Sequence, residues 1–516
     1  MTIANDKQLA SDINAQSINS ANNDNYHIGA LDIGSNSFHF VFARVVNDNL
    51  QILHSEKYRV RLAQGLDHDG ILDQAAIERG VKALSDLAPL TEKLSPENFR
   101  VVATFTLRQA RNAQAFLDAA AQVFPFDIEV ISGHEEARLI YQGVAHYLPP
   151  ATQRLIIDIG GGSTECVIGK DLQTSQLTSL NIGCVSFSRF YFANGEITEQ
   201  AFARAILHAK QEIESHVSRF KNAGWQEVIG TSGTLKTIFQ QLNLSRGNIQ
   251  AFNLAELHSF KDQLIAFGHA DNIQLPSLKE SRRHIIAPGV AILIGIAELL
   301  AIDSIDYCDY SLREGVMSEQ LEAIQFDDIR DRTINSLSTR FNIDQQQVEK
   351  VQQLATRIYQ ATRRLWQLDK KTYQQLLNWA IWVHEIGYDI NPSAYHKHSR
   401  YILLNADLPG FNLEQQQALA WLVGNQRKKI QFEDNQLWYL LDELRLAKLL
   451  AILRLSILLS QQRQLTEHAD IQISAEKDTL NLHFPANWLN EKPLVEADLT
   501  QERKQLSLVG ITVNFH

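Results

Sequence analysis

The chain of 516 residues is predicted to be an α/β protein with two similar lobes, followed by a helical domain. The stretches from Ile28 to Ala43 and from Leu155 to Gly169 read IGALDIGSNSFHFVFA and LIIDIGGGSTECVIG. Each is an apolar strand ending in Asp-Ile-Gly, a tight turn and a second strand, so the pair predicts a repeated unit. From about Asp327, glutamine, arginine, leucine and alanine dominate with helical periodicity, which predicts the helical domain.

The composition favours a globular protein and argues against one class of partner. Hydrophobic residues make up 45% of the chain and charged residues 21%, which is enough for an ordinary core in each domain. The net charge of −11 comes from 48 Lys and Arg against 59 Asp and Glu. A protein that binds duplex DNA neutralises phosphates with excess positive charge, so no nucleic-acid partner is expected.

Cysteine usage and hydropathy favour a cytoplasmic location, either free or peripheral at the inner membrane surface. The three cysteines form no CxxC pair, so neither a disulfide framework nor a structural zinc site is expected. The longest apolar stretches, Val290 to Ile302 and Leu449 to Leu459, are short of the ~20 residues that cross a bilayer. No integral membrane contact is therefore expected.

The elements of the first lobe follow from its pattern in order. After an Asn- and Ser-rich tail and the first hairpin, Arg100 to Thr106 is predicted to be a strand leading into a helix from Leu107 to Val123. Another strand, from Asp127 to Ser132, leads into a helix that runs to Val144. The ends of these strands deliver polar residues to loops, where α/β folds place ligands.

The second lobe and the rest of the chain follow similarly. Beyond the second hairpin, a strand from Glu227 to Gly230 enters a Thr-Ser-Gly-Thr turn and a helix from Leu235 to Leu242. Alternating residues in Ile471 to Ser474 and Leu480 to Phe484 predict a small β-rich C-terminal domain. The predicted boundaries are a disordered tail over 1–26, a first lobe over 27–139, a second lobe over 140–325, a helical domain over 326–462 and a β-rich domain over 463–516.

The glycine-rich turn of the second hairpin is a candidate phosphate site. Consecutive glycines let backbone N–H groups approach phosphate oxygens. Asp158 and Glu165 flank this turn, and carboxylates next to a phosphate make sense if a divalent cation such as Mg²⁺ lies between them. The alternative is a glycine-rich hairpin with acidic rims and no ligand. The candidate residues in the turn are Gly160, Gly161, Gly162 and Ser163.

The first hairpin and its lobe supply further candidates. The turn of Asp32, Gly34, Ser35 and Asn36 carries hydroxyl and amide donors that could hold a second phosphate. The adjacent Glu135 and Glu136 begin a helix, where acidic residues commonly serve as caps. One of the two can instead enter a cleft and activate water as a general base. Arg108, a surface residue by default, becomes a phosphate clamp if it lies near such a cleft.

Two features of the helical domain remain open to two interpretations. His384 and Glu385 with His396 and His398 look like a metal cluster, but glutamate stands where a histidine-aspartate site needs aspartate. The basic residues of this domain form either a solvated face or a track for a long polyanion. They are Lys397, His398, Arg400, Arg427, Lys428 and Lys429.

Taken together, several stretches resemble the exopolyphosphatase and guanosine pentaphosphate phosphohydrolase (Ppx/GppA) family. The resemblance covers nearly the whole chain from about residue 27. The stretches are LDIGSNSFHFVFARV from Leu31, ATFTLRQARNA from Ala103, VISGHEEARLIYQGVAH from Val130, DIGGGSTE from Asp158, IGCVSF from Ile182, LREGVM from Leu312 and the region HE…HKHSRYILLNADLPGF from His384. It implies two ribonuclease-H-like lobes of the actin, heat-shock-70 and sugar kinase superfamily, then a helical HD-like domain and a C-terminal domain.

The resemblance also implies roles for particular residues. Glu136 matches the family's catalytic base, and Asp158 and Glu165 match acidic groups linked to the metal. The two hairpin turns match its two phosphate loops. Arg108 and Arg282 match arginines that approach the phosphates. The family further implies a homodimer.

The family has two main activities, and both hydrolyse a phosphoanhydride bond. The YHKHSRYILLNADLPGF stretch favours a processive exopolyphosphatase that releases orthophosphate from inorganic polyphosphate with Mg²⁺ or another divalent cation. The alternative is hydrolysis of guanosine pentaphosphate to the tetraphosphate, in the stringent response. Two hypotheses of other classes remain, namely a kinase of the same superfamily and a sensor that binds alarmones without catalytic activity. Orthophosphate release from polyphosphate would separate them from a hydrolase, since the kinase would need an acceptor and the sensor would release none.

Overall fold

The structure is a computed structural model that describes residues 27–46, 49–148, 153–244, 251–325, 328–431, 438–460 and 471–516. The predicted fold class is confirmed, because two α/β lobes built on similar mixed sheets are followed by a helical domain. The tail predicted over 1–26 lies outside the described residues.

The first lobe is built on a five-stranded sheet in the order β3-β2-β1-β4-β5. Strand β1 pairs antiparallel with β2 and parallel with β4, which pairs parallel with β5. Its strands are β1 His27–Ile33, β2 Phe38–Val46, β3 Asn49–Tyr58, β4 Phe99–Ala103 and β5 Ile128–Val130. Its helices are α1 Gln74–Leu87, α2 Phe105–Gln109, α3 Ala113–Ala121 and α4 Gly133–Ala145, with 3₁₀ turns at Leu62–Gly65 and Ala88–Thr91.

One predicted helix of this lobe is broken in two. The pattern predicts a continuous helix from Leu107 to Val123, but α2 ends at Gln109 and α3 begins at Ala113. At the break, the Asn112 side chain accepts a hydrogen bond from the N–H of Leu72 (2.8 Å) and donates one to its carbonyl (2.9 Å). A partner forty residues away therefore holds the break open, and helical periodicity carries no sign of it.

The second lobe repeats the first, with one additional edge strand. Its sheet has the order β10-β11-β9-β6-β7-β8, in which β6 pairs antiparallel with β7 and parallel with β9. Its strands are β6 Arg154–Ile159, β7 Thr164–Lys170, β8 Gln173–Leu180, β9 Glu227–Thr231, β10 Phe252–Asn253 and β11 Ser304–Tyr307. Its helices are α5 Cys184–Tyr191, α6 Glu199–Glu214, α7 Val217–Ala223, α8 Ser232–Leu244, α9 Leu254–Phe267, α10 Arg283–Leu300 and α11 Leu312–Gln325, with 3₁₀ turns at Ala193–Gly195, Ala270–Asn272 and Glu280–Arg282.

Helices α4 and α11 cross so closely that the predicted lobe boundary is wrong. A Cβ atom on Gly143 would lie 1.9 Å from the carbonyl oxygen of Ser311, and one on Gly315 would lie 1.8 Å from that of Leu139. The boundary predicted at 139/140 falls inside α4, which packs against α11 and β8 of the second lobe. This crossing brings Ser311, just before α11, to the end of β6.

One helix is longer than the apolar stretch in the sequence suggests. The segment Glu280–Leu300 is long and apolar enough to cross a bilayer by length and composition. In the fold, 72% of its most apolar window is buried, and it packs mainly on α6, α5 and α9 of the second lobe. Its apolar character is that of a core helix.

The two C-terminal domains predicted from the sequence share one hydrophobic core. Ile334 and Leu450 of the helical part lie in the same buried cluster as Leu482, Leu506 and Val513. The last part is also not mainly β, because a 15-residue helix packs beside its three-stranded sheet. The elements are α12 Ile329–Arg340, α13 Gln345–Thr362, α14 Lys371–Val383, α15 Tyr395–Asn405, α16 Leu413–Gly424, α17 Glu443–Ser460, β12 Gln472–Glu476, β13 Thr479–His483, α18 Trp488–Glu491, α19 Pro493–Ser507 and β14 Thr512–Phe515.

Candidate active site

The turns of the two hairpins meet at the base of the cleft between the lobes. A Cβ atom on Gly161 would lie 3.0 Å from the Cβ of Ser35, and one on Gly162 would lie 2.2 Å from the ring of Phe105. Only glycine allows this approach of one lobe to the other. The Ser35 hydroxyl also accepts a hydrogen bond from Thr106 (2.8 Å). The structure thus brings the two predicted phosphate loops together.

The glycine turn is fixed by backbone hydrogen bonds that leave two of its N–H groups without a partner in the described ranges. The carbonyls of Gly160 and Gly161 accept hydrogen bonds from the N–H groups of Cys184 (3.0 Å) and Val185 (2.8 Å), at the start of α5. Within the described ranges, no oxygen accepts a hydrogen bond from the N–H of Gly161 or Gly162. Two donors in succession are therefore available to an anion, as a phosphate loop requires.

Four carboxylates from both lobes share the cleft. Asp158 and Glu165 are partners in the β6–β7 register, so both side chains lie on the same face of the sheet. Asp158 accepts a hydrogen bond from the hydroxyl of Ser311 (2.7 Å), and Glu165 accepts one from Ser179 (2.7 Å). Burial raises the pKa of Asp158 to about 7, and the charge of Glu136 adds to this increase. Burial also raises the pKa of Glu165 well above its usual value, again with a contribution from Glu136.

Asp32 occupies the equivalent position at the end of β1. Burial raises its pKa to about 7, and the charges of Glu136 and Asp158 act in the same direction. Its Oδ1 atom is buried and has no hydrogen-bond partner in the described part of the chain. A buried carboxylate oxygen without a donor costs free energy, and a hard cation would remove that cost.

Glu136, and not Glu135, faces the cleft. Ser132 is the helix cap, because its hydroxyl accepts a hydrogen bond from the N–H of Glu135 (3.1 Å). Glu136 accepts a hydrogen bond from Arg108 (3.1 Å), whose guanidinium is also anchored on the carbonyl of Ile131 (3.0 Å). Burial raises the pKa of Glu136, and Arg108 opposes this increase. An arginine therefore fixes the orientation of this carboxylate.

Three basic side chains line the cleft near Asp32, and the sequence analysis assigned only one of them. That residue, Arg282, lies over Gly233, where a Cβ atom would be 2.4 Å from its guanidinium. Arg313 lowers the pKa of both Asp32 and Asp158. Partial burial and the charges of Arg282 and Arg313 lower the pKa of Lys57. Cations that repel one another in this way favour a polyanionic ligand.

Of the two residues that the sequence interpretation missed, Lys57 and Arg313, only Arg313 has a signal in the sequence. Asp32 pairs with His39 across β1 and β2, and His39 pairs with Lys57 across β2 and β3. The register of three strands thus places all three on one face, but no local motif marks Lys57. Arg313 lies inside the LREGVM stretch and could have been assigned from it.

The described residues offer no complete metal site of their own. No three histidine, cysteine, aspartate or glutamate side chains in this part of the chain converge closely enough to hold an ion, either in the cleft or around His384. Asp32, whose Oδ1 atom lacks a partner, fits a cation that is held by one or two carboxylates and takes its remaining ligands from substrate oxygens and water, which is how Mg²⁺ commonly binds.

The basic residues of the helical domain gather around His396. Burial, together with the charges of Arg427, Lys397 and Lys428, lowers the pKa of His396 to about 4. The guanidinium of Arg427 lies 5.0 Å from the ring centre of Tyr395. The aliphatic stem of Arg400 covers Gly424, and Lys429 is exposed. We call the group of Lys397, Arg427 and Lys428 around His396 the basic cluster.

Comparisons with known proteins agree along the whole described fold. Residues 41–324 match the Ppx/GppA phosphatase family model, and residues 329–503 match the model for domain III of that family. Guanosine-5'-triphosphate,3'-diphosphate pyrophosphatases are similar: that of Pseudoalteromonas translucida is 36% identical over 485 residues (93% of this chain and 96% of the relative), and that of Pseudoalteromonas atlantica is 37% identical over 486 residues (93% and 95%).

Solved structures show the same fold. An exopolyphosphatase from Cytophaga hutchinsonii aligns with a TM-score of 0.53 and 24% identity, over 58% of this chain and 98% of that one. A Ppx/GppA family member from Aquifex aeolicus aligns with a TM-score of 0.50 and 23% identity, over 58% and 99%. Family members are hydrolases of phosphoanhydride bonds, and the cleft of this chain contains buried carboxylates, backbone donors and basic side chains. Since one family accounts for both the lobes and the helical domain, the chain belongs to the Ppx/GppA phosphatase family.

Proposed function

We propose that this hydrolase removes the 5'-terminal phosphate of guanosine pentaphosphate and releases the tetraphosphate and orthophosphate. The observation that carries this proposal is the match to relatives named for guanosine-5'-triphosphate,3'-diphosphate, over 93% of this chain and at least 95% of theirs. The sequence alone favoured inorganic polyphosphate as the substrate. These relatives reverse the order of the two candidate substrates, because they match the helical domain as well as the lobes.

The cleft supports attack by water on the terminal phosphorus. Glu136 accepts a proton from the water as the new P–O bond forms, and the bond to the bridging oxygen breaks with its electron pair remaining on the leaving diphosphate. Arg108 holds the Glu136 carboxylate in one orientation. The N–H groups of Gly161 and Gly162 are available to the oxygens on which negative charge is concentrated.

A divalent cation, which we propose to be Mg²⁺, fits beside these groups. Asp32, with its unpartnered Oδ1 atom, would hold it, with one further carboxylate, either Asp158 or Glu165, as its second protein ligand. When bound, such a cation neutralises charge on the terminal phosphate. Lys57, Arg282 and Arg313 would bind the remaining phosphates, since their mutual repulsion is relieved by an anion between them.

Inorganic polyphosphate remains the second candidate, because the basic cluster in the helical domain suits a chain longer than a nucleotide. The deciding experiment incubates the purified protein and Mg²⁺ with each substrate at equal terminal-phosphate concentration. Orthophosphate and nucleotide products are measured together. We expect a higher kcat/KM on guanosine pentaphosphate, with tetraphosphate formed in equal amount to orthophosphate. A higher value on polyphosphate would overturn this order, and no orthophosphate from either would overturn the hydrolase reaction.

A further inference from the structure

We propose that the loop over residues 406–412 of the helical domain is a positioning element for the catalytic base, acting through His134 and Glu135. This inference rests on the function proposed above for Glu136. Neither the base nor its arginine belongs to the helical domain. The helical domain nevertheless determines the position of the base.

Three consecutive residues at the start of α4 have different surroundings. The His134 ring nitrogen Nδ1 pairs with the carboxylate of Asp407. Glu135, which is 2% exposed, accepts a hydrogen bond on Oε2 from the backbone N–H of Gly410 (3.0 Å). Glu136 turns to Arg108 and the cleft. Two residues of one helical turn are thus held by the helical domain, and the third is the base.

The contact to Gly410 completes a buried charge network. Arg138 binds both carboxylate oxygens of Glu135 (2.8 Å each) and also Glu319 (2.9 Å). Arg100 in turn binds Glu319 (2.9 Å) and Glu129 (3.1 Å). Three carboxylates therefore face two guanidinium groups, of which Glu135 and Arg138 are buried and the other three side chains are partly exposed. The network spans β4, α4 and α11, so it also connects the two lobes.

The helical domain supplies the donors that this network lacks. Buried negative charge in excess must be stabilised by hydrogen-bond donors, or it destabilises the fold. The N–H of Gly410 meets Glu135, and the side-chain amide of Asn412 approaches Glu129 (3.4 Å). Without the loop, Glu135 would keep its arginine but lose this donor. The first turn of α4 would then have a different lowest-energy position.

The loop itself is held in one conformation. Gly410 has φ +87°, which disfavours other residues, and a Cβ atom there would lie 2.5 Å from the side chain of Ile329. Thr333 donates a hydrogen bond to the carbonyl of Pro409 (2.8 Å). A fixed loop can impose a position on α4. Because displacing a catalytic group by about 1 Å costs up to about a hundredfold in rate, small shifts here matter.

The test compares two variants that disturb this contact with two matched controls. Gly410→Ala moves the donor without changing any charge, and Glu135→Gln removes the charge while keeping the size of the side chain. Gly510→Ala is the control for backbone strain, since Gly510 has φ +77° and nothing lies within 4 Å of its Cβ position. Tyr439→Phe removes another bond between the helical domain and the first lobe, from its hydroxyl to the carbonyl of Leu117 (3.1 Å).

Two measurements are made on the full chain: kcat and KM, and hydrogen exchange of the Glu135 and Glu136 amides, which bond to Ser132. We expect Gly410→Ala and Glu135→Gln to lower kcat by about ten- to a hundredfold with KM within about twofold, and to speed this exchange. Both controls should leave kcat and exchange unchanged.

The outcomes separate this proposal from the proposed function. Normal kcat and normal exchange in a folded Gly410→Ala variant would overturn it, as would equal losses in the Gly510→Ala control. A rise in KM without a loss of kcat would assign the loop to substrate binding and also overturn it. If the wild-type protein hydrolyses neither substrate, the proposed function fails. In that case, faster amide exchange in Gly410→Ala would by itself still support the contact between Gly410 and Glu135, and unchanged exchange would refute it.

Discussion

Burial and the charge of Arg108 shift the pKa of Glu136 in opposite directions, and their balance suits a general base. Burial favours the protonated form, while Arg108 at 3.1 Å favours the carboxylate. A general base must be unprotonated before the reaction and must accept a proton during it. A pKa that burial raises and a nearby arginine limits serves both needs. The strand end and the helix start that follows it narrowed the choice to Glu135 or Glu136, and the family resemblance selected Glu136. The sequence also marked Asp32, Asp158 and Glu165 as candidates, but it could not show that the charge of Glu136 raises the pKa of all three.

The first prediction concerns this base. Glu136→Gln keeps the size of the side chain but cannot accept the proton, so kcat for orthophosphate release should fall by about 10²- to 10⁴-fold while substrate binding persists. The control is Glu199→Gln, in the exposed first turn of α6. Near-normal turnover of Glu136→Gln would show that another group removes the proton.

The second prediction concerns Asp32 and pH. Because its pKa is raised from 3.8 to about 7 in the fold, the folded state holds its proton more tightly than the unfolded chain does. This contribution to stability is complete below about pH 4 and is lost as the pH rises towards about 7. With divalent cations chelated, stability should therefore fall between about pH 4 and about pH 7, and Asp32→Asn should reduce that fall by on the order of 1 to 3 kcal/mol.

Chemical denaturation at several pH values measures this difference. Asp306→Asn, at an exposed position at the end of the second sheet, is the matched control and should follow the wild type. The same pH dependence in wild type and Asp32→Asn would contradict the burial of an ionised carboxylate at this position.

The hairpins, helices and turns differ in how well the sequence predicts them. Both Asp-Ile-Gly hairpins could be predicted because two strands and their turn are adjacent in the chain, and the glycines mark the turn. The break at Asn112 could not, because its partner Leu72 is distant in sequence. The crossing of α4 and α11 at Gly143 and Gly315 was also missed, since isolated glycines in helices have several explanations. Local patterns thus identify elements but not the contacts between them.

The third prediction tests the close approach of the glycine turn to the first lobe. Gly162→Ala would place a methyl group 2.2 Å from the ring of Phe105 at the start of α2, so the glycine turn and α2 must separate. We expect a loss of about 1 to 3 kcal/mol in stability and a lower kcat, measured by urea unfolding and orthophosphate release. Adding Phe105→Leu should restore part of both, because it makes room for the methyl group. Additive losses in the double variant would contradict a direct clash between these two positions.

Across the full chain, the lobes and the helical domain are joined by charge as well as by packing. The buried network around Arg138 reaches Gly410, and Tyr439 bonds to α3 of the first lobe. The sequence predicted the presence of a helical domain, because its composition changes near Asp327. It could not predict that this domain contacts the helix of the catalytic base, since that depends on the tertiary arrangement alone.

The fourth prediction asks whether the helical domain binds the distant part of a long substrate. Replacing Arg427, Lys428 and Lys429 by glutamine should reduce affinity for long polyphosphate and flatten its salt dependence, because fewer counterions are exchanged. Hydrolysis of guanosine pentaphosphate and of very short polyphosphate should change little, as these substrates are too short to follow a track. KM values measured at several salt concentrations give the comparison.

A triple variant at exposed lysines of the two lobes, Lys82, Lys93 and Lys221 to glutamine, makes the same change in net charge and is the control. Equal losses on short and long substrates would point to misfolding of the cluster variant. Unchanged KM on every substrate would leave the basic cluster as a solvated surface.

The core shared by the helical domain and the C-terminal segment has a consequence for how the protein is made. The buried residues of one hydrophobic cluster all lie within 31–128, so the first lobe can begin to fold soon after it leaves the ribosome. The cluster that begins at Ile334 is completed only by Leu506 and Val513. Until those residues are synthesised, the apolar residues of α17 lack part of their cover. We therefore expect the helical domain to be the last part to fold during translation and the part most dependent on chaperones.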